Sequence, residues 1–310
     1  MTTTTPVTAP QAPTATLAEA AAVPGRTAAI QQEIDQARRN GPLQHLVIPP
    51  CPELLTRLQV AMSQAEPDLN AVARIASSDV AMSATLLKSA NGPLYASGQP
   101  VQSIGQALNR LGLNETVSVM TGFLAQNAIR VTSTQLQRFW ERAVKRAVAM
   151  AFIAKRLPGV SPDLAYTYGL FCHVGLPVMM QSVKGYTGTL VEAQARIDRS
   201  FVATENANHR TDHAVVGALV ARAWRLSPIL MAAIRQHHDM AMLGDRFTEP
   251  EVHTLVAVGL IADHLMRRHE GLPPELDWTH HADKALQWLQ VTPDDIALWQ
   301  DEVLEVLDAV

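Results

Sequence analysis

The stretch of sequence that decides the fold is YGLFCHVG, residues 168–175. One histidine, His173, stands here among apolar residues and glycines, inside a longer pattern of helical period that runs from about Leu164 to Ser182. Strong hydrophobic patterns elsewhere in the chain also repeat every three to four residues rather than every two. The sequence therefore predicts an all-α fold in which His173 lies on a helix.

Capping residues indicate where several helices begin. Asp79 is placed to cap the helix that follows it, and Ser103 with Gln106 three residues later forms a capping box. Asn114 is expected to cap the next helix. A polar break near residue 135 separates two groups of helices. We predict a disordered tail at residues 1–25, two packed helical subdomains at 43–135 and 136–270, and a C-terminal helical extension at 271–310.

Composition limits the classes of protein and partner. The chain has 310 residues, of which 47% are hydrophobic and 17% charged, as is typical of a globular protein with a sizeable core. The net charge of −4 gives no general attraction to nucleic acid or to an anionic membrane. Neither a membrane-spanning apolar run nor a signal peptide is recognised, and Cys51 and Cys172 support no disulfide framework. We therefore predict a cytoplasmic protein with no nucleic-acid partner and no membrane partner.

Four segments of the chain resemble one bacterial family. Residues 168–175 are similar to the G-L-L-H-D-I-G core of HD phosphohydrolases. The other three segments are IPPCP at 48–52, SDVAMSATLLKSAN at 78–91 and SIGQALNRLG at 103–112. Together they resemble HDOD, the HD-related output domain of bacterial signalling proteins, over roughly residues 43–270. The resemblance implies a regulatory role in bacterial signal transduction.

The HD hydrolases hold a metal with a histidine from an early helix, a His-Asp doublet and an aspartate from a late helix. The resemblance places Arg142, His173, Val174 and Asp263 at these four positions. A guanidinium cannot ligate a metal, and Val174 removes both a donor atom and a negative charge. Only two of the four positions survive, so the resemblance implies a degenerate site with no catalytic residue.

A second group of histidines comprises His213, His237 and His238. They resemble the histidines with which HD-GYP phosphodiesterases hold a further metal, but the Gly-Tyr-Pro element that should follow is absent. We favour the interpretation that they are hydrogen-bonded packing groups inherited from an enzyme ancestor, and so predict no metal and no cofactor. The alternative is a site for a single metal formed by His173, His213, His237, His238 and Asp263.

Arg142 has two interpretations of its own. If it faces His173 and His237, the vestigial metal pocket becomes a small cationic cavity suited to a phosphate or a nucleotide. The simpler interpretation is that Arg142 pairs with a nearby carboxylate such as Asp263.

Taken together, the resemblance and the lost positions predict a non-catalytic regulatory or scaffold module that binds a signalling protein. Two alternatives stay open. One is a sensor of a small anionic ligand or nucleotide in the vestigial pocket, and the other is a residual metal-dependent phosphodiesterase.

Overall fold

The computed structural model describes residues 25–40 and 43–308, and within these ranges the chain is helical and contains no β-strand. The predicted all-α class is confirmed. The disordered tail predicted for residues 1–25 lies outside the described residues, Gly25 excepted. No helix in the described ranges is long and apolar enough to cross a membrane. The helices are α1 (Arg26–Asn40), α2 (Glu53–Met62), α3 (Leu69–Ala76), α4 (Val80–Asn91), α5 (Ile104–Leu111), α6 (Leu113–Ala128), α7 (Phe139–Ala154), α8 (Pro162–Phe171), α9 (Gly175–Ser182), α10 (Tyr186–Ala195), α11 (Phe201–His209), α12 (His213–Ala223), α13 (Pro228–Gln236), α14 (Pro250–His269), α15 (Leu276–Leu289) and α16 (Pro293–Asp308).

Helices α2 to α6 form one packed group, in which α4 and α5 contact each other and both contact α6. The prediction for α4 is confirmed, since the Asp79 carboxylate accepts the Met82 N–H at 2.9 Å. Half of the capping box of α5 is confirmed: the Ser103 hydroxyl accepts the Gln106 N–H at 3.2 Å, but the Gln106 side chain accepts from the Gln102 N–H instead of that of Ser103. The prediction for Asn114 is wrong, because α6 already begins at Leu113, one residue earlier. A tight turn at the preceding glycine, with φ of 78°, starts this helix without a side-chain cap.

The two glycines at the ends of the 168–175 stretch set the position of His173. A Cβ atom on Gly169 would lie 2.6 Å from the Cα of Ala147, so α8 approaches the backbone of α7 closely. A Cβ atom on Gly175 would lie 2.0 Å from the carbonyl oxygen of His213, so α9 approaches α12 equally closely. These contacts fix His173 between α7 and α12. Its segment is a short turn between α8 and α9, not the interior of a helix as we predicted.

The helices after residue 270 pack on the same core. Helix α15 lies against α14, and α16 contacts both α7 and α14. Trp299 and Val303 of α16 are buried, and the Trp288 indole of α15 donates to the Thr254 hydroxyl at 3.2 Å. Residues at the start of α15 are thereby brought close to the histidines.

Helix α1 was not anticipated from the sequence. It packs on α12 and α13 with Ile30 and Ile34 completely buried. Glu33 of α1 forms an ion pair with Arg235 of α13 at 2.7 Å. The helix therefore covers the outer side of the elements that carry three of the four histidines.

Candidate functional site

Four histidines from separate parts of the chain converge on one point. His173, His213, His237 and His238 each bring one ring nitrogen to a position within 4.8 Å of the other three. His173 lies in the turn between α8 and α9, His213 is the first residue of α12, and the other two follow the end of α13. The structure thus unites the histidines of both motif groups in one cluster, which we call the histidine cluster.

Local capping sets the directions of these side chains. The Asp212 carboxylate accepts the Val215 N–H at 2.9 Å, which fixes His213 as the first residue of α12. Helix α13 begins at Pro228 and ends at Gln236, where the Asp239 N–H donates to the Gln236 carbonyl at 2.8 Å. The two histidines between these last residues leave the helix and turn toward α12.

The Nε2 atom of His213 is the centre of the histidine cluster. It lies 3.3 Å from Nδ1 of His173, 3.1 Å from Nε2 of His237 and 3.2 Å from Nε2 of His238. Four nitrogen atoms therefore face one small volume in the interior of the protein.

Two carboxylates hold the outer nitrogens of the cluster. Nδ1 of His213 donates to Glu205 at 2.7 Å, and Nδ1 of His238 donates to Asp277 at 2.6 Å. Glu205 is completely buried and also accepts from the Tyr186 hydroxyl and from the His213 backbone N–H. Three donors satisfy a carboxyl group that is shielded from water. Because Nδ1 is the donor in both imidazoles, the neutral form of each ring presents the lone pair of Nε2 to the cluster.

The remaining two histidines are held in the neutral form. Nδ1 of His237 donates to the Ile234 carbonyl at 2.7 Å, and burial together with the neighbouring imidazoles lowers the pKa of His237 well below its ordinary value. Burial, reinforced by the charge of Arg146, lowers the pKa of His173 to about 3. For His238, burial opposes protonation, but the bond to the Asp277 carboxylate outweighs it and raises the pKa above its ordinary value.

Asp263 lies on the opposite side of His173 and is occupied by an arginine. Its Oδ1 atom accepts from Nε of Arg146 at 2.7 Å, while Oδ2 lies 3.8 Å from Nε2 of His173. Burial raises the pKa of Asp263, but the charge of Arg146 outweighs it and lowers that pKa below its ordinary range. The aspartate is therefore ionised and paired.

Arg142 pairs with a carboxylate, as the simpler interpretation predicted, but its partner is Glu270 and not Asp263. Its guanidinium lies 3.2 Å from Glu270 at the end of α14, with about a third of the side chain exposed, rather than against the histidines or Asp263. Arg146, one helical turn later, takes the place that we assigned to Arg142. Both residues lie on the face of α7 that packs on α14, and only the packing distinguishes them.

The metal position of HD hydrolases does not fit this chain. Val174 is completely buried and offers no donor atom, and the carboxylate of Asp263 is neutralised by Arg146. Of the two potential metal ligands at that position, Asp263 is paired with Arg146 and His173 is not paired with an arginine.

Three residues of the site were missed by sequence reasoning: Arg146, Glu205 and Asp277. Glu205 lies eight residues before His213, in a segment whose only unusual feature is an acidic residue inside a short helix. Asp277 belongs to the C-terminal helices, far from the histidines in sequence. No local pattern identifies either of them as an acceptor for an imidazole.

The fold and the site define a class, namely all-helical proteins with a cluster of buried histidines between their central helices. The HDOD domain model matches residues 48–240, more than half of the chain, and the chain belongs to this family. The predicted family is thereby confirmed.

Individual relatives agree with this assignment. The chain is similar to the solved structure of an HDOD domain protein with unknown function from Geobacter sulfurreducens, with a TM-score of 0.66, 19% identity, and coverage of 92% of this chain and 96% of that one. A structure from Shewanella amazonensis SB2B, whose name proposes a metal-dependent phosphohydrolase, gives a TM-score of 0.63 at 19% identity and covers 92% of this chain and 98% of that one. At this identity the likeness concerns the fold.

A curated protein also matches the chain in sequence. An uncharacterized protein of Treponema pallidum (strain Nichols) is 25% identical over 195 residues, which make up 62% of this chain and 38% of that protein. The match thus spans well under half the length of the relative.

Proposed function

We propose that this chain is a non-catalytic regulatory module of signal transduction that acts by binding a partner protein. The observation that carries the non-catalytic part is the buried ion pair between Arg146 and Asp263, 2.7 Å long, together with Val174 in place of an acidic residue. The regulatory part rests on membership of the HDOD family.

Phosphodiester hydrolysis by an HD site needs a metal-activated water beside Asp263. A dication placed there would face the Arg146 guanidinium. At a separation of about 4 Å and an effective dielectric constant of about 20, the repulsion would be about 8 kcal/mol before relaxation. By the same estimate, this repulsion cancels the attraction of one carboxylate at that distance, which leaves His173 to hold the ion. We therefore expect no catalytic metal at this position.

The alternative of an anion sensor receives less support. Both arginines on this face of α7 already have partners, since Arg142 lies beside Glu270 and Arg146 beside Asp263. A phosphate group would have to displace a carboxylate from one of them.

The test has a chemical arm and a cellular arm. The purified chain is assayed with Mg²⁺, Mn²⁺ or Fe²⁺ against bis(p-nitrophenyl) phosphate and cyclic dinucleotides, beside the Asp263→Asn variant. We expect no turnover above that of the variant. Turnover that Asp263→Asn abolishes would overturn the proposal.

In the cellular arm, a strain lacking the gene is complemented with the paired variant Arg146→Met/Asp263→Val. This variant removes every charged group at the hydrolase position while filling the space. Because regulation by contact needs only the folded surface, full complementation is expected. A folded variant, present at the normal level, that fails to complement would contradict the proposal.

A further inference from the structure

The histidine cluster contains more lone pairs than its own protons can satisfy. Nδ1 of His213 donates to Glu205, and Nδ1 of His237 donates to the Ile234 carbonyl. The facing Nε2 atoms of these two rings are therefore both acceptors, yet they lie 3.1 Å apart. Two acceptors at this distance repel each other unless a cation lies between them.

A proton does not resolve this arrangement. A proton on Nε2 of His238 would donate to Nε2 of His213, which has a single lone pair and is then satisfied. The contacts of the same nitrogen with His237 and with His173 would remain without a hydrogen. One metal ion would accept all four lone pairs at once.

The distances agree with tetrahedral coordination. Zinc–nitrogen bonds of about 2.0–2.1 Å place the nitrogens of a tetrahedral site about 3.3–3.4 Å apart. The three distances from Nε2 of His213 are 3.1, 3.2 and 3.3 Å. The other nitrogen pairs lie within 4.8 Å, so a small inward rotation of the rings would complete the site.

The surroundings match the charge of a divalent ion. Glu205, Asp277 and Asp263 are three carboxylates in hydrogen-bonding or close contact with the rings, and Arg146 is the one guanidinium paired among them. Among the described residues, Glu205 and Asp277 form ion pairs with His213 and His238 alone. Carboxylates and carbonyls that hold the outer nitrogens of ligating histidines are a regular feature of metal sites, because they fix the tautomer and the orientation of the ring.

We propose that His173, His213, His237 and His238 bind one divalent transition-metal ion of the zinc type, oriented by Glu205, Asp277 and the Ile234 carbonyl. Four imidazole ligands favour zinc, iron, nickel or copper over magnesium and calcium, which take oxygen ligands. The ion lies on the Nδ1 side of His173, whereas Asp263 and Arg146 lie on the Nε2 side. It is thus separate from the hydrolase position.

The proposed site also connects helices that are distant in sequence. His213 belongs to α12, His238 follows α13, and Asp277, which holds His238, belongs to α15. Occupancy by the metal therefore fixes the start of α15, beyond the residues 48–240 that match the family model. Four protein ligands also close a tetrahedral site and leave no position for a reactive water. The inference goes beyond the proposed function and does not depend on it.

The test measures metal content and a spectrum. Full-length protein is purified without chelator or affinity tag, loaded with Zn²⁺ or Co²⁺, desalted, and analysed for metal by mass spectrometry. We expect about one equivalent per chain, and for Co²⁺ the intense visible absorption of a tetrahedral ion. Hydrogen exchange at the start of α15 should slow on loading.

Three variants make the result specific. His213→Ala should lose the bound equivalent, whereas His253→Ala, which removes an equally buried histidine outside the cluster, should keep it. Asp277→Asn leaves all four ligands in place and should weaken binding by about 10- to 100-fold. Circular dichroism confirms that each variant is folded.

Two results would overturn the inference: folded protein that retains less than about a tenth of an equivalent after loading, or binding that His213→Ala leaves unchanged. The latter outcome would assign the metal to surface histidines such as His280. Turnover is measured separately from metal binding. Bound metal without turnover supports both proposals, and bound metal with turnover overturns only the proposed function. If the protein shows no bound metal and no turnover, only this inference is overturned.

Discussion

Replacing Arg146 by methionine should destabilise the protein far more than the same replacement of Arg142. The Arg146 side chain is 9% exposed and that of Asp263 is 26% exposed. Breaking a buried ion pair by removing one partner costs about 3–5 kcal/mol, because the other charge stays buried. Asp263 is partly exposed and has His173 at 3.8 Å, so we reduce this to about 2–4 kcal/mol. The pair of Arg142 with Glu270 is 35% exposed on the arginine side and should contribute about 0–1 kcal/mol.

Thermal and urea unfolding measure both changes. An unfolding entropy of about 2.1 cal/mol/K per residue gives about 0.6 kcal/mol/K for this chain. The expected loss of 2–4 kcal/mol therefore lowers Tm by about 3–6 °C for Arg146→Met, against about 1 °C for Arg142→Met. Methionine keeps most of the aliphatic stem, so the difference reports the charge rather than the packing.

A double variant isolates the unpaired charge. Adding Asp263→Val to Arg146→Met removes the stranded carboxylate and should recover most of the lost stability, because apolar replacements of a buried pair are often neutral. The reasoning is refuted if Arg146→Met unfolds within about 1 kcal/mol of Arg142→Met, or if the double variant is no more stable than Arg146→Met alone.

The remaining predictions concern acidity, packing and thiol chemistry. Because Arg146 lowers the folded-state pKa of Asp263, the pair stabilises the protein fully above the unfolded-state pKa of about 3.9 and loses this effect as the pH falls further. The difference in the free energy of unfolding between wild type and Arg146→Met, measured in urea, should therefore narrow as the pH is lowered below about 4. Gly169→Ala should cost about 1–3 kcal/mol in thermal unfolding, because its Cβ meets the α7 backbone at 2.6 Å, whereas Gly105→Ala, in open space, should be neutral or stabilising. Burial raises the pKa of Cys172 to about 12, so Ellman's reagent at pH 8 should modify Cys51 alone in the native protein and both thiols after denaturation.

The sequence was sufficient for the helices and the family because both depend on local patterns. Asp79 and Ser103 cap their helices through contacts three residues away, which a sequence displays directly. The glycines of the 168–175 stretch lie at close helix contacts, but only their spacing around His173 was visible beforehand. Helix α1 lacked such signals, since its burial depends on the distant helices α12 and α13.

The details of the site depended on packing that no local pattern records. Arg142 and Arg146 are one turn apart on α7, and the angle at which α7 crosses α14 decides which of them reaches Asp263. Glu205 and Asp277 bind the outer nitrogens of histidines that lie 8 and 39 residues away in sequence. Without these acceptors the histidines look like packing groups, which is the interpretation that we favoured from sequence.

The two ring nitrogens of His173 face different surroundings. Nε2 faces Asp263, where Arg146 supplies the positive charge that a hydrolytic metal would otherwise supply. Nδ1 faces His213, where the ring nitrogens of the histidine cluster meet. Under the two proposals, the core lacks a hydrolase metal at Asp263 but binds a different cation beside it. In such a chain, Arg146 closes the position beside Asp263 and a metal ion occupies the adjacent histidine cluster. The architecture of the ancestral site would be retained while its hydrolytic chemistry is lost.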